Sequence, residues 1–237
     1  MPARAAANSP SGSLDGARDG NCAGAGGLAA TAGAGGSAGL SVLRAGGLVA
    51  AVRESSPGFT SAGAGTAAGA GAGATLPHLR IAAPGPRDQT AHHIHARLDA
   101  HASYEQALVA TDAPYHLQRT TLDLQGHHAT ARSAGLLLAA GHALEQQVHT
   151  VHHVAHTTSQ VESLALASGS ARVVANAHTR IAPGAAEAAV HQRLTGIPLA
   201  GQPRLVLRPH LEILHDQVQA AHGATWGALP EDALFYA

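Results

Sequence analysis

The chain of 237 residues contains no lysine, and all 14 of its basic residues are arginine. Without lysine no strand–Gly-loop–Lys phosphate cradle can form, even though Gly33-Ala34-Gly35-Gly36 is rich enough in glycine to suggest one. A single cysteine, Cys22, excludes an internal disulfide framework and a cysteine-ligated zinc site, and it fits a reducing, cytoplasmic location. Aromatic residues make up only 3% of the chain and charged residues 12%. The net charge of −1 gives no field to gather nucleic acid or anionic lipid. No apolar run reaches the roughly 18 residues that span a bilayer. Neither a nucleic acid nor a membrane is therefore an expected partner. The first residues are poor in acids, but Asp15 and Asp19 interrupt them without an amphipathic stripe. They read as a low-complexity tail rather than a transit peptide.

Glycine and alanine are over-used instead. They dominate residues 1–75, as in Gly69-Ala70-Gly71-Ala72-Gly73, and such a stretch offers little apolar area against the entropy of ordering it. The expectation is a disordered segment over 1–75. One island stands out, Gly39 through Arg44 and Leu48 through Val52, which is compatible with a strand pair or a short helix.

From about Leu76 short stretches alternate apolar and polar residues, as in Arg172-Val173-Val174-Ala175-Asn176-Ala177-His178-Thr179-Arg180-Ile181. Turn segments such as Pro84-Gly85, Gly126-His127, Gly141-His142 and Pro183-Gly184 punctuate them, which is a strand-and-turn texture. Gly126 and Gly141 stand 15 residues apart, as do Gly169 and Gly184, and the two pairs are offset by 43. That offset lays Thr130 on Val173 and Leu138 on Ile181. Short strands kept in phase are what a parallel β-solenoid requires, because each coil must continue the core of the one before it. A β-sandwich, the rival architecture, would not need the phase to be kept.

The stretch Arg208-Pro209-His210-Leu211-Glu212-Ile213 resembles the Lys-Pro-x-Leu-Glu-Ile signature of SufB and SufD proteins, the scaffold family of iron–sulfur cluster assembly. His215 through Gly227 is similar to the family's Asp-Asp-Val-Lys-Cys-Ser-His-Gly-Ala-Thr-x-Gly. Glu231-Asp232-Ala233-Leu234-Phe235-Tyr236 resembles the start of its following helix. Upstream, His152 with His156-Thr157-Thr158-Ser159 is similar to the family's His-x-x-Pro-His-Thr-Thr-Ser, and Ala182-Pro183-Gly184-Ala185 to its Pro-Gly-Ala turn. Within the family, His222-Gly223-Ala224-Thr225-Trp226-Gly227 favours SufD, since SufB usually carries His-Glu-Ala-Thr there.

The resemblance implies a mainly β protein: a right-handed parallel β-helix over 76–213, then the start of a C-terminal helical segment over 214–237. It implies a non-catalytic scaffold that pairs with a SufB-like subunit through the β-helix ends. ATP hydrolysis would belong to a SufC-like ATPase, and a transient iron–sulfur cluster would form at the SufB interface. Pro209, Glu212, His222 and Gly223 become the expected partner interface. His222 is the expected metal ligand, acting only together with ligands from the partner. The chain also departs from the pattern. Ala220 occupies the family's cysteine position, Val206-Leu207 replaces a polar Asp-Thr, and Pro230 stands where an acidic helix cap is usual. The family pattern continues past Ala237, so SufC docking is expected to suffer.

Two further readings come from other classes. One is a decayed or partial SufD-like fragment without assembly activity. The other is a β-helix carbohydrate-active enzyme, which would need several carboxylates on one face with a basic residue nearby. His92, His93 and His95, and likewise His149, His152, His153 and His156, are close enough in sequence to suggest metal sites. Surface histidines on exposed strand faces are the commoner explanation. Ser159 and His156 with Asp112 or Asp123 can be written as a triad, but no nucleophile elbow surrounds any serine.

Overall fold

The computed structural model describes residues 31–32, 39–45, 48–54 and 61–227, with side chains described over 68–227. Short antiparallel strands come first: β1 (Thr31–Ala32), β2 (Gly39–Ala45) and β3 (Leu48–Glu54). The island at 39–52 is therefore a strand pair, β2 lying antiparallel between β3 and β5. The remaining strands are β4 (Ser61–Ala70), β5 (Thr75–Ala82), β6 (Gln89–Leu98), β7 (Ser103–Thr111), β8 (Tyr115–Leu124) and β9 (Thr130–Ala139). They continue with β10 (Ala143–His152), β11 (Thr158–Gly169), β12 (Arg172–Ile181), β13 (Ala188–Gly201), β14 (Arg204–Ile213) and β15 (Val218–Trp226). No helix occurs among the described residues.

From β4 onward the chain alternates between two sheets. Sheet A runs β1-β4-β6-β8-β10-β12-β14 and sheet B runs β15-β13-β11-β9-β7-β5-β2-β3. Each coil takes one strand from each sheet, giving six coils in which every strand lies parallel to its counterparts. This is the parallel β-solenoid expected from the strand-and-turn texture.

The repeat is not the one that the glycine spacing suggests. Coils recur at offsets between 26 residues, from Gln89 to Tyr115, and 32 residues, from Arg172 to Arg204. Thr130 pairs with Thr158, not Val173. An offset of 43 corresponds to one and a half coils and joins a strand of sheet B to one of sheet A. The physical reason is that a turn ends every half-coil, so turn glycines recur at half-coil steps. The faces do not match: Thr130 and Leu138 lie on the outward side of β9, and Val173 and Ile181 are buried on β12.

That rhythm is explicit in β5, where Leu76, His78, Arg80 and Ala82 are buried and the residues between them are exposed. β6, β8 and β12 repeat it. Inward Leu98, Leu122, Leu124, Val148 and Ala177 build one shared core, and each fully buried leucine contributes roughly 2 kcal/mol. The solenoid begins at Ser61, inside the stretch expected to lack structure. Its Gly/Ala alternation has the period of a strand, and buried Ala68 and Ala70 join the core once β6 stacks beside them. At the other end β15 occupies 218–226, so strand replaces the helical segment expected there. Its alternating residues stack in register on β13 from Ala188–Val218 to Gly196–Trp226. Residues 228–237, including the expected helix start at Glu231–Tyr236, lie outside the described residues.

The corners are built by recurrence too. His101, His128, His156 and Glu187 occupy the same left-handed corner position with φ of 58°, 62°, 60° and 56°. The three imidazoles stack at ring-centre distances of 4.9 and 5.0 Å.

Candidate functional site

Among the described residues, solenoid topology leaves one strand of each sheet unpaired on its outer side at the last coil. Those strands are β14 in sheet A and β15 in sheet B. All four residues expected at a partner interface lie here: Pro209 and Glu212 on β14, His222 and Gly223 on β15.

Backbone alternation decides what this end presents. Arg204 N and Leu214 N donate to Ala171 and Ile181 of the preceding coil, so the even-numbered amides of β14 face inward along the sheet. Odd-numbered positions, Pro209 among them, then face the open edge, where a residue without an N–H leaves no sheet partner unsatisfied. On β15, Gly227 N donates to Gly196, so the odd-numbered amides face β13. The N–H groups of Val218, Ala220, His222, Ala224 and Trp226 therefore point to the open edge, an uninterrupted row for strand addition.

Side chains alternate with the same period. His222 aligns with Gln192 and Ala220 with Val190, both buried, so His222 and Ala220 share the interior-facing side of β15. Among the described residues no further coil covers them, and both are exposed. Pro209 aligns with buried Ala177 and faces the interior from β14. Glu212 faces outward from sheet A, where its carboxylate meets Arg180 Nε at 3.4 Å and His178 Nε2 at 3.9 Å. Gly223 aligns with exposed Arg193 on the outer side of sheet B. The structure thus brings Pro209 and His222 to one interior-facing end and turns Glu212 and Gly223 away from it.

Beneath His222 lies a residue that the motif comparison missed. Gln192 is buried, and its Nε2 donates to Thr179 Oγ1 at 2.7 Å and to the His210 carbonyl at 3.2 Å. It ties β13 to β12 and β14, fixing the strand on which β15 rests. A polar residue at an inward phase is the signal that marks it, and that phase is readable only with the correct repeat.

Polar side chains recur along the interior. Arg80 Nε donates to Gln118 Oε1 at 2.9 Å, Gln118 Nε2 donates to His116 Nε2 at 2.7 Å, and His116 Nδ1 donates to the Thr111 carbonyl. Thr157 Oγ1 gives its proton to the Val154 carbonyl, so it accepts from His152 Nδ1, and His152 Nε2 accepts from Ser159. Both imidazoles are held neutral, with pKa values lowered by burial to about 4. Tyr104, buried beside His78, has its phenol pushed up by the same desolvation.

The histidine groups suggested by sequence are dispersed. His93 and His95 do share the outer face of sheet A, with rings 6.3 Å apart, whereas His92 is buried. His93 bonds Thr121 and His95 bonds Asp123, at 2.9 and 2.6 Å. His149 lies outside against His178, His152 inside, His153 near Asp123, and His156 in its corner stack. Among the described residues no group of three or more His, Cys, Asp or Glu side chains is arranged to hold a metal ion. The paper triad also dissolves, since Ser159 pairs with His152, not His156. Asp112 caps a turn, and Asp123 is engaged by His95 and His153. A groove on the outer face of sheet B holds Glu105 and Glu162 with Arg132, fewer carboxylates than the several that a lyase-like site would group. No helix among the described residues is long and apolar enough to cross a membrane.

Among the curated proteins none matches the chain. A family model does match, over residues 48–237: it is described as SUF system FeS cluster assembly, SufBD core domain.

Proposed function

The chain belongs to the SufB/SufD core-domain family of the SUF iron–sulfur cluster assembly system, and from that premise we propose that it is a non-catalytic scaffold subunit of the SufD type. A SufB-like subunit pairs with its open last coil, and a SufC-like ATPase supplies the hydrolysis that drives assembly. The cluster is cargo, built at the subunit junction in the cytoplasm. The observation that carries this reading is the exposed β15 edge with His222 beside it, in a chain whose family match spans residues 48–237. The SufD assignment is supported by the His-Gly-Ala-Thr sequence at His222–Thr225.

His222 offers one imidazole and its neighbour Ala220 offers no donor, so one ligand comes from this chain and the rest from the partner. Pro209 and Gly223 shape the two strands of the junction, and Glu212 holds the outer face of β14 through Arg180. The test is co-purification of the full chain with SufB-like and SufC-like subunits. Retention of the SufB-like subunit at micromolar concentration supports the reading, and failure to retain it sinks it.

A second reading is favoured by one specific observation. Ala220, at the cysteine position of the family, faces the same side as His222 and removes the thiolate that would complete a pair of donors. In that reading the chain is a partial scaffold that folds but assembles nothing. Binding of the SufB-like subunit without any cluster formation would distinguish it from the first.

A further inference from the structure

The outer face of sheet A carries a groove of about 1000 Å³ that crosses the strands instead of following one. Strand register builds it from two adjacent rows. In the first, His93, Arg119, Gln147, Asn176 and Arg208 stand side by side on β6, β8, β10, β12 and β14. In the second, Thr121, His149, His178 and His210 do the same on β8 to β14. Every polar side chain in the two rows can donate a hydrogen bond, and no carboxylate lines the groove.

The carboxylates around its rim are already engaged. Glu145 accepts from Gln147 Nε2 at 2.5 Å, Asp123 is held by His95 and His153, and Glu212 faces Arg180. Donor capacity is left over inside. Arg119 uses its Nε on Gln147 Oε1, leaving the terminal nitrogens of its guanidinium. Arg208 is exposed and makes no hydrogen bond or ion pair with a described residue. His210 is exposed and His149 half-buried, whereas His178 Nε2 is turned toward Glu212 Oε2 at 3.9 Å.

We propose that this groove binds an extended phosphate chain, laid across the strands with Arg119 gripping one end, Arg208 the other, and His149 and His210 donating between them. Three strand spacings separate the two arginines, roughly 14 Å. No single phosphate or compact tricarboxylate reaches both, whereas a chain of phosphates presents acceptor oxygens along the whole distance. Guanidinium forks match phosphate oxygens in pairs, and imidazoles add neutral donors without requiring full charge. Nucleic acid is the less suitable polyanion, since neither Trp, Tyr nor Phe lines the groove to stack bases and the chain's net charge is −1.

Calorimetric titration of the full chain with inorganic polyphosphate tests the proposal. Parallel titrations use orthophosphate, citrate, a mixed-sequence single-stranded oligonucleotide and a poly-glutamate peptide. The expected result is saturable binding of polyphosphate alone, weakened roughly tenfold by Arg119→Gln or by Arg208→Gln. The double variant His101→Gln/His128→Gln, altered in the corner stack on another part of the surface, should bind as the parent does. Circular dichroism confirms that each variant is folded. Three results overturn the proposal: no saturable binding of polyphosphate, binding indifferent to both arginine variants, or preference for the oligonucleotide or the peptide.

Discussion

The Oδ2 atom of Asp112 lies 2.6 Å from the backbone nitrogen of His142, one coil further along the chain. The same oxygen accepts the N–H groups of Ala140 and Gly141 at 3.0 and 2.9 Å, so one carboxylate fastens the turn that leads into β10. Asp112→Ala removes all three acceptor contacts and should lower stability by about 1–2 kcal/mol in urea unfolding. Burial alone would raise the carboxyl pKa, but the bonds from His142, Gly141 and Ala140 hold it below the ordinary value. Its contribution is therefore complete above the unfolded-state pKa and is lost as pH falls through the lower folded-state value. An Asp112→Ala protein as stable as the parent at pH 7 would refute this role.

Acid should act earlier through two interior histidines. His116 and His152 have folded-state pKa values of about 4, lowered chiefly by burial. A depressed histidine pKa makes the unfolded chain the better proton acceptor. Stability is then full above about 6.5 and declines as pH falls from there toward 4, by roughly 2–3 kcal/mol for each histidine. The urea midpoint measured from pH 7.5 to 4.5 should fall steadily. Replacing His152 with Gln should flatten that slope, because no proton can then be taken up at this position. An unchanged slope would contradict the assignment.

Two glycines that look alike in sequence should respond in opposite ways. A β-carbon on Gly126 would lie 1.9 Å from the backbone nitrogen of Ala100 and 2.2 Å from the carbonyl carbon of Asp99. Backbone atoms of the neighbouring coil cannot yield, so Gly126→Ala should cost more than about 2 kcal/mol or prevent folding. At Gly141 the same β-carbon meets nothing within 4 Å, and Gly141→Ala should change stability by less than about 0.5 kcal/mol. Thermal unfolding of the pair checks this, and equal costs would show that the coils are not packed as described.

The contrast shows where the sequence is readable. Alternation in stretches such as Arg172–Ile181 reports strands directly, because every strand buries one side. The length of a coil is not reported, because turns recur every half-coil: turn spacing lays Thr130 of sheet B on Val173 of sheet A, although Thr130 faces outward and Val173 is buried. Composition also misleads at Ser61–Ala70. There the hydrogen bonds and cover come from β6, which a reading of local propensity does not include. At the candidate site, motif resemblance finds His222 and Pro209 but gives no side-chain direction. Only the register shows that Glu212 and Gly223 face outward. Gln192 escapes because its importance lies in bonds to Thr179 and His210, which are distant in sequence.

Chemistry at the open end can be tested by restoring a donor. Ala220→Cys places a thiol on the same side of β15 as His222. In a complex reconstituted with SufB-like and SufC-like subunits, this variant should retain more iron and sulfide per complex than the parent. His222→Ala should retain less, and only when the SufB-like subunit is present. Iron and sulfide analysis after gel filtration reads both. If His222→Ala matures clusters at the parental level, His222 is not a ligand.

Hydrogen–deuterium exchange of the full chain, alone and mixed with a SufB-like subunit, tests the central claim most directly. The amides of Ala220, His222 and Ala224 point to the unpaired edge of β15 and should exchange rapidly in the free chain. On mixing, the peptides covering 218–226 should become protected, while those covering the interior strands β8 and β9 should not change. A mixture in which 218–226 exchanges as fast as in the free chain would contradict the account.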